Sequence, residues 1–188
     1  MRILFASIAI LVVAGCNNLA AAAERMIEKQ ATVAAPIDEV WKAWTTREGV
    51  KSFFAPDANI EARSGGPFEI YMNPYAAPGM KGADDMRVLA VQAPSMISFT
   101  WNAPPSQPEI RAQRTVVIVR LKAVDAKTTE VTLRHLGWGE GEKWDATYAY
   151  FDRAWGNVLV NLAKRFTDGP IDFTPFLERL KPQPADKK

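Results

Sequence analysis

Residues 144–167 constrain this chain more than any other stretch. Tyr148, Phe151, Trp155, Val158, Leu159, Leu162 and Phe166 recur at steps of three and four, which lays one apolar stripe along an α-helix. Asp152, Arg153, Asn161 and Lys164 fall outside the stripe, and Gly169-Pro170 stops the helix. At roughly 1.5 Å per residue it is about 35 Å long. One apolar face of that length must be covered by another layer of structure. Gly156 interrupts the pattern, at a cost of about 1 kcal/mol relative to Ala. Either a neighbouring element approaches closely there, or a ligand needs the room.

The covering layer is legible upstream. Residues 26–33 read as a first strand, with Ile27, Ala31 and Val33 on one side. Ala35-Pro36 then opens a helix, with Asp38 and Glu39 in its first turn. Ile37, Val40, Trp41 and Trp44 form its apolar stripe. Thr45 and Glu48 have capping-box spacing for a second short helix. Val50, Phe53 and Phe54 are its expected buried face, and Ala55-Pro56 its end. From Asn59 to Arg134 the punctuation is that of antiparallel strands. Gly65-Gly66, Asn73-Pro74, Pro78-Gly79, Ala93-Pro94 and the 104–108 stretch mark turns or loops. Between them lie the β-prone runs 68–72, 86–91, 96–101, 115–121 and 129–135. Alternation puts Ile97, Phe99 and Trp101 on one face, and Val131, Leu133 and His135 on another. The expected fold is α+β: a curved antiparallel sheet wrapped around a long C-terminal helix, with two short helices after the first strand. A cavity between sheet and helix is expected.

The amino terminus differs from the rest. Met1-Arg2 gives a positive start, and residues 3–13 are apolar apart from Ser7. Val13-Ala14-Gly15-Cys16 places small residues before a cysteine. This is the layout of an export signal, and the run is shorter than the roughly 20 residues of a spanning helix. Val-Ala-Gly-Cys also resembles a bacterial lipobox, in which Cys16 becomes the lipidated first residue. Cleavage after Ala21-Ala22-Ala23 is the alternative, giving a free periplasmic or secreted protein. The expected division is a signal over 1–15, a tether over 16–26, a domain over 27–168 and a tail over 169–188. The expected location is the bacterial cell envelope, anchored on the periplasmic side. Cys16 is the only cysteine in the 188 residues, so the lipoprotein reading leaves the domain without thiols. A net charge of +2 with no basic stripe argues against a nucleic-acid partner.

Several segments together resemble a known family. They are Ala35-Pro36 followed by Val40-Trp41-Lys42-Ala43-Trp44-Thr45, then Gly65-Gly66-Pro67-Phe68 running to Met72. Phe99-Thr100-Trp101, the run from Thr129 to Trp138, and Trp155 with Leu159 and Leu162 follow in order. The stretch from about residue 27 to 167 resembles the START/polyketide-cyclase-like (SRPBCC) superfamily, and within it the Hsp90-ATPase-activator-homologue-like group. Ala154 stands where that group usually has Gly, and Phe53-Phe54 where it usually has Trp-Phe. The resemblance implies a helix-grip fold and small-molecule binding, without fixing one reaction.

Candidate site residues follow from strand parity and this resemblance. Expected to face the cavity are Phe53, Phe68, Ile70, Met72, Phe99, Trp101, Tyr148, Trp155 and Leu159, with the sole histidine, His135, as a polar anchor. The competing reading of each aromatic is ordinary core, and of His135 a satisfied core histidine. Asp84-Asp85 and Glu140-Glu142 read as solvated loop charge. Residues 137–141 read as a turn, because they lack the third glycine of a phosphate loop. One histidine and no folded cysteine argue against a zinc site, and no cofactor is expected. The functional expectation is an apolar-ligand carrier. A cyclase or hydrolase would use His135 as acid/base with a tyrosine and possible help from Arg114 or Arg120. A chaperone-partner role like that of Hsp90 activators conflicts with export.

Overall fold

The computed structural model describes residues 24–182. The signal and Cys16 therefore lie outside the described residues. Strand β1 (Ile27–Val33) leads into α1 (Ile37–Thr45) and α2 (Arg47–Lys51). Strands β2 (Asp57–Ile60), β3 (Phe68–Tyr71), β4 (Gly82–Ala83), β5 (Val88–Gln92) and β6 (Met96–Trp101) follow. A short α3 (Pro108–Arg111) precedes β7 (Thr115–Asp125), β8 (Thr128–Leu136), the long α4 (Glu142–Thr167) and α5 (Thr174–Leu180). The strands form a five-stranded antiparallel sheet in the order β1-β8-β7-β6-β5, beside a three-stranded sheet β2-β3-β4. Backbone bonds from Phe68 to Met86 and from Val88 to Gly66 join the two at one edge. The expected architecture, a curved antiparallel sheet around the C-terminal helix, is the observed one.

Parity explains the core. Ile27 and Val33 on β1, Val131 and Leu133 on β8, Val117 and Val119 on β7, and Ile97 and Phe99 on β6 are all buried on one face. The α4 stripe of Phe151, Trp155, Val158, Leu159 and Leu162 meets that face. Val40, Ala43 and Trp44 of α1, with Val50, Phe53 and Phe54 beyond, close the end. Phe68 stacks on Phe99 with centroids 3.7 Å apart, so the middle of the grip is solid.

Local details correct several expectations. The N-cap of α2 is Thr46, whose Oγ1 accepts from the Gly49 N–H at 3.0 Å. Thr45 instead donates its hydroxyl to the Trp41 carbonyl at 2.7 Å. α3 begins at Pro108, the last residue of the stretch expected to be loop, and runs on to Arg111. The Ile171 N–H donates to the Ser52 carbonyl, and α5 follows with no buried residue. A Cβ built on Gly156 meets nothing within 4 Å, so no neighbour's close approach accounts for this glycine, and it lines neither of the hollows described below. Gly156→Ala is accordingly expected to raise stability by about 0.5–1 kcal/mol, read as a higher urea midpoint with unchanged slope.

Candidate functional site

The hollow of the grip lies at one end of the sheet. Phe54 comes from the turn after α2, Met72 and Asn73 from the end of β3, and residues 80–83 from the loop into β4. Residues 101–105 leave β6, and Tyr150, Phe151, Ala154, Trp155 and Val158 descend along α4. Together they enclose about 250 Å³. The floor is aromatic: the Trp101 and Trp155 rings lie 5.1 Å apart, and Phe54 lies 5.7 Å from Trp155. Met72, Met80 and Tyr150 are exposed at the rim. Single exposed apolar side chains mean little, but a cluster at the mouth of an apolar cavity marks a binding surface. A second hollow of about 260 Å³ lies between α3 and α4. Exposed Glu109 and Lys143, paired with each other, line it.

Of the residues singled out in the sequence, Met72, Trp101 and Trp155 line the cavity. Phe53, Phe68, Ile70, Phe99 and Leu159 are buried beside or behind it. Tyr148 sits elsewhere: its hydroxyl donates to the Met26 carbonyl at 3.0 Å, and the Arg25 guanidinium stacks on its ring at 4.3 Å. It fastens the start of the domain to α4. Parity identifies the face a side chain occupies but not where that face is left uncovered. The loop residues Met80, Lys81, Asn102, Pro104 and Pro105, and Ala154 on the helix, carried no signal of a cavity beyond their turn-forming neighbours.

His135 faces inward as its parity requires, yet it does not border the cavity. It is fully buried between β8 and α4, and Trp138, Phe151 and Trp155 surround it at ring distances of 4.3, 5.2 and 5.9 Å. The Trp155 Nε1–H donates to His135 Nδ1 at 2.9 Å. An accepting Nδ1 carries no proton, so Nε2 carries it and donates to Thr115 Oγ1 at 2.7 Å. Burial pushes the ring's pKa down to about 3. With both nitrogens engaged and no path to the cavity surface, His135 orients Trp155 from behind. Neither arginine considered with it, Arg114 nor Arg120, is among the lining residues.

Asp84 is the clearest correction among the charges. Its carboxylate is buried, not solvated, and meets Arg111 Nη2 at 3.0 Å. It also accepts the backbone N–H groups of Gly79, Lys81 and Gly82. Arg111 donates further to the carbonyls of Ala103 and Gly79. One ion pair thus ties the loop over residues 79–84 to α3 and to the segment after β6. The loop and the segment after β6 are both walls of the cavity.

This fold and cavity define a helix-grip α+β domain. The family described as Activator of Hsp90 ATPase homolog 1-like protein matches residues 34–167, and the chain belongs to it. No curated protein matches the sequence. Among solved structures, protein MLL2253 from Mesorhizobium loti is similar over 78% of this chain and 100% of its own, at 20% identity and a TM-score of 0.61. The Aha1 dimer from Colwellia psychrerythraea is similar over 77% and 98%, at 18% identity and a TM-score of 0.59. PFC0360w, an HSP90 activator from Plasmodium falciparum, is similar over 78% and 97%, at 16% identity and a TM-score of 0.56. At these identities the likeness is one of fold. Among the described residues no helix is long and apolar enough to cross a membrane, and no cluster of three or more metal-ligating side chains occurs.

Proposed function

We propose that the protein is exported, held on the cell envelope by a lipidated Cys16, and carries a small apolar molecule in the cavity between sheet and α4. The observation that carries the binding reading is the aromatic-floored cavity with its exposed apolar rim. The family supports an activator-like, protein-binding role as a second reading. The export signal read in residues 1–15 argues against that role, since its chaperone partner is cytosolic. Nothing at the cavity favours a cyclase or hydrolase, because His135 is sealed behind Trp155.

Ala154 provides the test of binding. Its methyl lines the cavity on α4, and Ala154→Trp fills the space with an indole. Binding of an apolar fluorescent probe to the wild-type protein, weakened at least about tenfold (about 1.4 kcal/mol) in a folded Ala154→Trp variant, is the expected result. A wild-type protein that takes up no apolar probe overturns the reading. For the anchor, Cys16→Ser is expected to move the protein from the membrane fraction to the soluble fraction of host cells, checked by fractionation and immunoblot.

A further inference from the structure

We propose that the cavity's ligand is a small, uncharged, mainly apolar molecule that donates one hydrogen bond, from a hydroxyl or an N–H, to the side-chain oxygen of Asn102. The inference rests on the binding role proposed above and names the class of ligand.

Among the described residues, Asn102 is the one amide, hydroxyl or charged side chain of the lining that is buried. It follows directly on β6, is 4% exposed, and borders the cavity between Trp101 and Ala103. Its Nδ2 donates to the Asp84 carbonyl at 3.4 Å. A reversed amide would set Oδ1 against that carbonyl, acceptor against acceptor, so this bond fixes which end is which. Oδ1 itself makes no hydrogen bond among the described residues. Of those residues, the buried side-chain polar atoms that are both unpartnered and sealed from open space are Trp44 Nε1 and Trp101 Nε1. Asn102 Oδ1 is therefore open, and the open space that Asn102 borders is the cavity. The Trp101 N–H, being sealed, offers a ligand nothing.

The position of that oxygen is fixed from behind. Asp84, whose carbonyl holds Nδ2, is itself held through its carboxylate by Arg111 and three backbone N–H groups. The other polar side chains of the lining are less buried. Asn73 is half-buried, and its Oδ1 already accepts from the Tyr75 N–H. The Lys81 ammonium lies over the Tyr71 ring, which is outside the lining, and Tyr150 is exposed. A wholly apolar ligand would cover the Asn102 oxygen and leave it unpartnered, which is costly for a buried acceptor. A ligand hydroxyl or N–H removes that cost and adds one directional contact. Charge does not fit. A carboxylate would meet Oδ1 as acceptor against acceptor. An ammonium would leave its water for a lining that holds no acidic residue, with one amide oxygen in compensation. A volume of about 250 Å³ falls just below the roughly 300–1,000 Å³ of pockets for drug-sized molecules, which suits a short chain or a single ring system.

The test compares 2-naphthol with 2-methylnaphthalene, which share one ring system and differ in a hydroxyl against a methyl, by equilibrium dialysis with the folded protein at pH 7. Hexadecane offers no acceptor, so the ratio of the two compounds' partition coefficients from water into it is the preference of a cavity lined by carbon alone. The wild-type protein is expected to shift that ratio toward 2-naphthol by at least about tenfold, which about 1.4 kcal/mol represents. Asn102→Leu keeps the volume without the oxygen. It is expected to lower the affinity for 2-naphthol relative to 2-methylnaphthalene by at least about tenfold, whereas a merely loosened wall would weaken both and leave their ratio as it was. A wild-type ratio equal to that of hexadecane, or a ratio unaltered in Asn102→Leu, overturns the donor assignment and leaves the apolar-carrier reading intact. Failure of both compounds to bind the wild type overturns both. The hexadecane comparison needs wild-type protein alone, and so decides between these outcomes even if Asn102→Leu does not fold.

Discussion

Asp84→Ala is expected to cost about 3 kcal/mol of stability and to loosen one wall of the cavity. The size of the effect follows from what is left behind. The Asp84 and Arg111 side chains are 9% and 12% exposed, so removing the carboxylate strands a guanidinium largely out of water. Its remaining partners are two carbonyls, those of Ala103 and Gly79, which carry no compensating charge. The Gly79, Lys81 and Gly82 N–H groups lose their acceptor in the same step. Urea unfolding followed by fluorescence reads the loss as a lower midpoint. Asp85→Asn is the matched control, because Asp85 is exposed and surface changes of that kind stay within about 0.5 kcal/mol. Its φ of 60° is one that Asn tolerates as well as Asp. Equal midpoints for Asp84→Ala and Asp85→Asn are incompatible with the buried pair acting as described. Apolar-probe affinity is expected to fall in Asp84→Ala and not in Asp85→Asn, since of the two acids only Asp84 pairs with Arg111 on α3.

Why the sequence disclosed the grip but misplaced its contents can be argued residue by residue. Periodicity reports which face is buried, and it does so wherever an element is long. The α4 stripe and the alternation in β6 and β8 are therefore plain in the sequence. β2 is not, because Asp57 and Asn59 are poor strand formers. It exists through pairing with β3 and an ion pair from Arg47 to Asp57. The capping threonine was misplaced by one because Thr45 and Thr46 are adjacent and chemically equal; the fold of the turn selects Thr46. The cavity is harder still. Phe68 and Phe99 have the right parity for its wall, but they stack on each other and fill their own space. The open space lies where loops 72–83 and 102–105 stand off from α4, and loop separation has no period. Asp84 reads as solvated charge because its partner, Arg111, is remote in sequence and sits on a four-residue helix too short to show a period.

Acid is expected to destabilise the protein through His135 between pH 6.5 and 5. His135 is the only histidine in the chain, so between pH 6.5 and 5 it is the one side chain with an ordinary pKa nearby. In the unfolded chain it takes a proton near its ordinary value of 6.5, whereas burial holds the folded ring neutral down to about 3. The unfolded state therefore binds more protons throughout that window, and stability falls as pH drops. The full contribution is present above 6.5 and declines by about 1.4 kcal/mol per pH unit below it, or about 2 kcal/mol by pH 5. Geometry supplies the reason the folded ring resists. A proton on Nδ1 would face the Trp155 N–H, donor against donor, inside a cage of Trp138 and Phe151. Protonation thus requires Trp155 to let go, and Trp155 is also the cavity floor. Urea midpoints at pH 7, 6 and 5 measure the slope. His135→Gln is expected to be less stable at pH 7 but nearly flat across that range, since an amide can still accept from Trp155 without titrating. An equally steep profile in His135→Gln would place the acid sensitivity elsewhere. Apolar-probe binding in the wild type is expected to weaken in step with stability, because the indole held by the histidine forms the cavity floor.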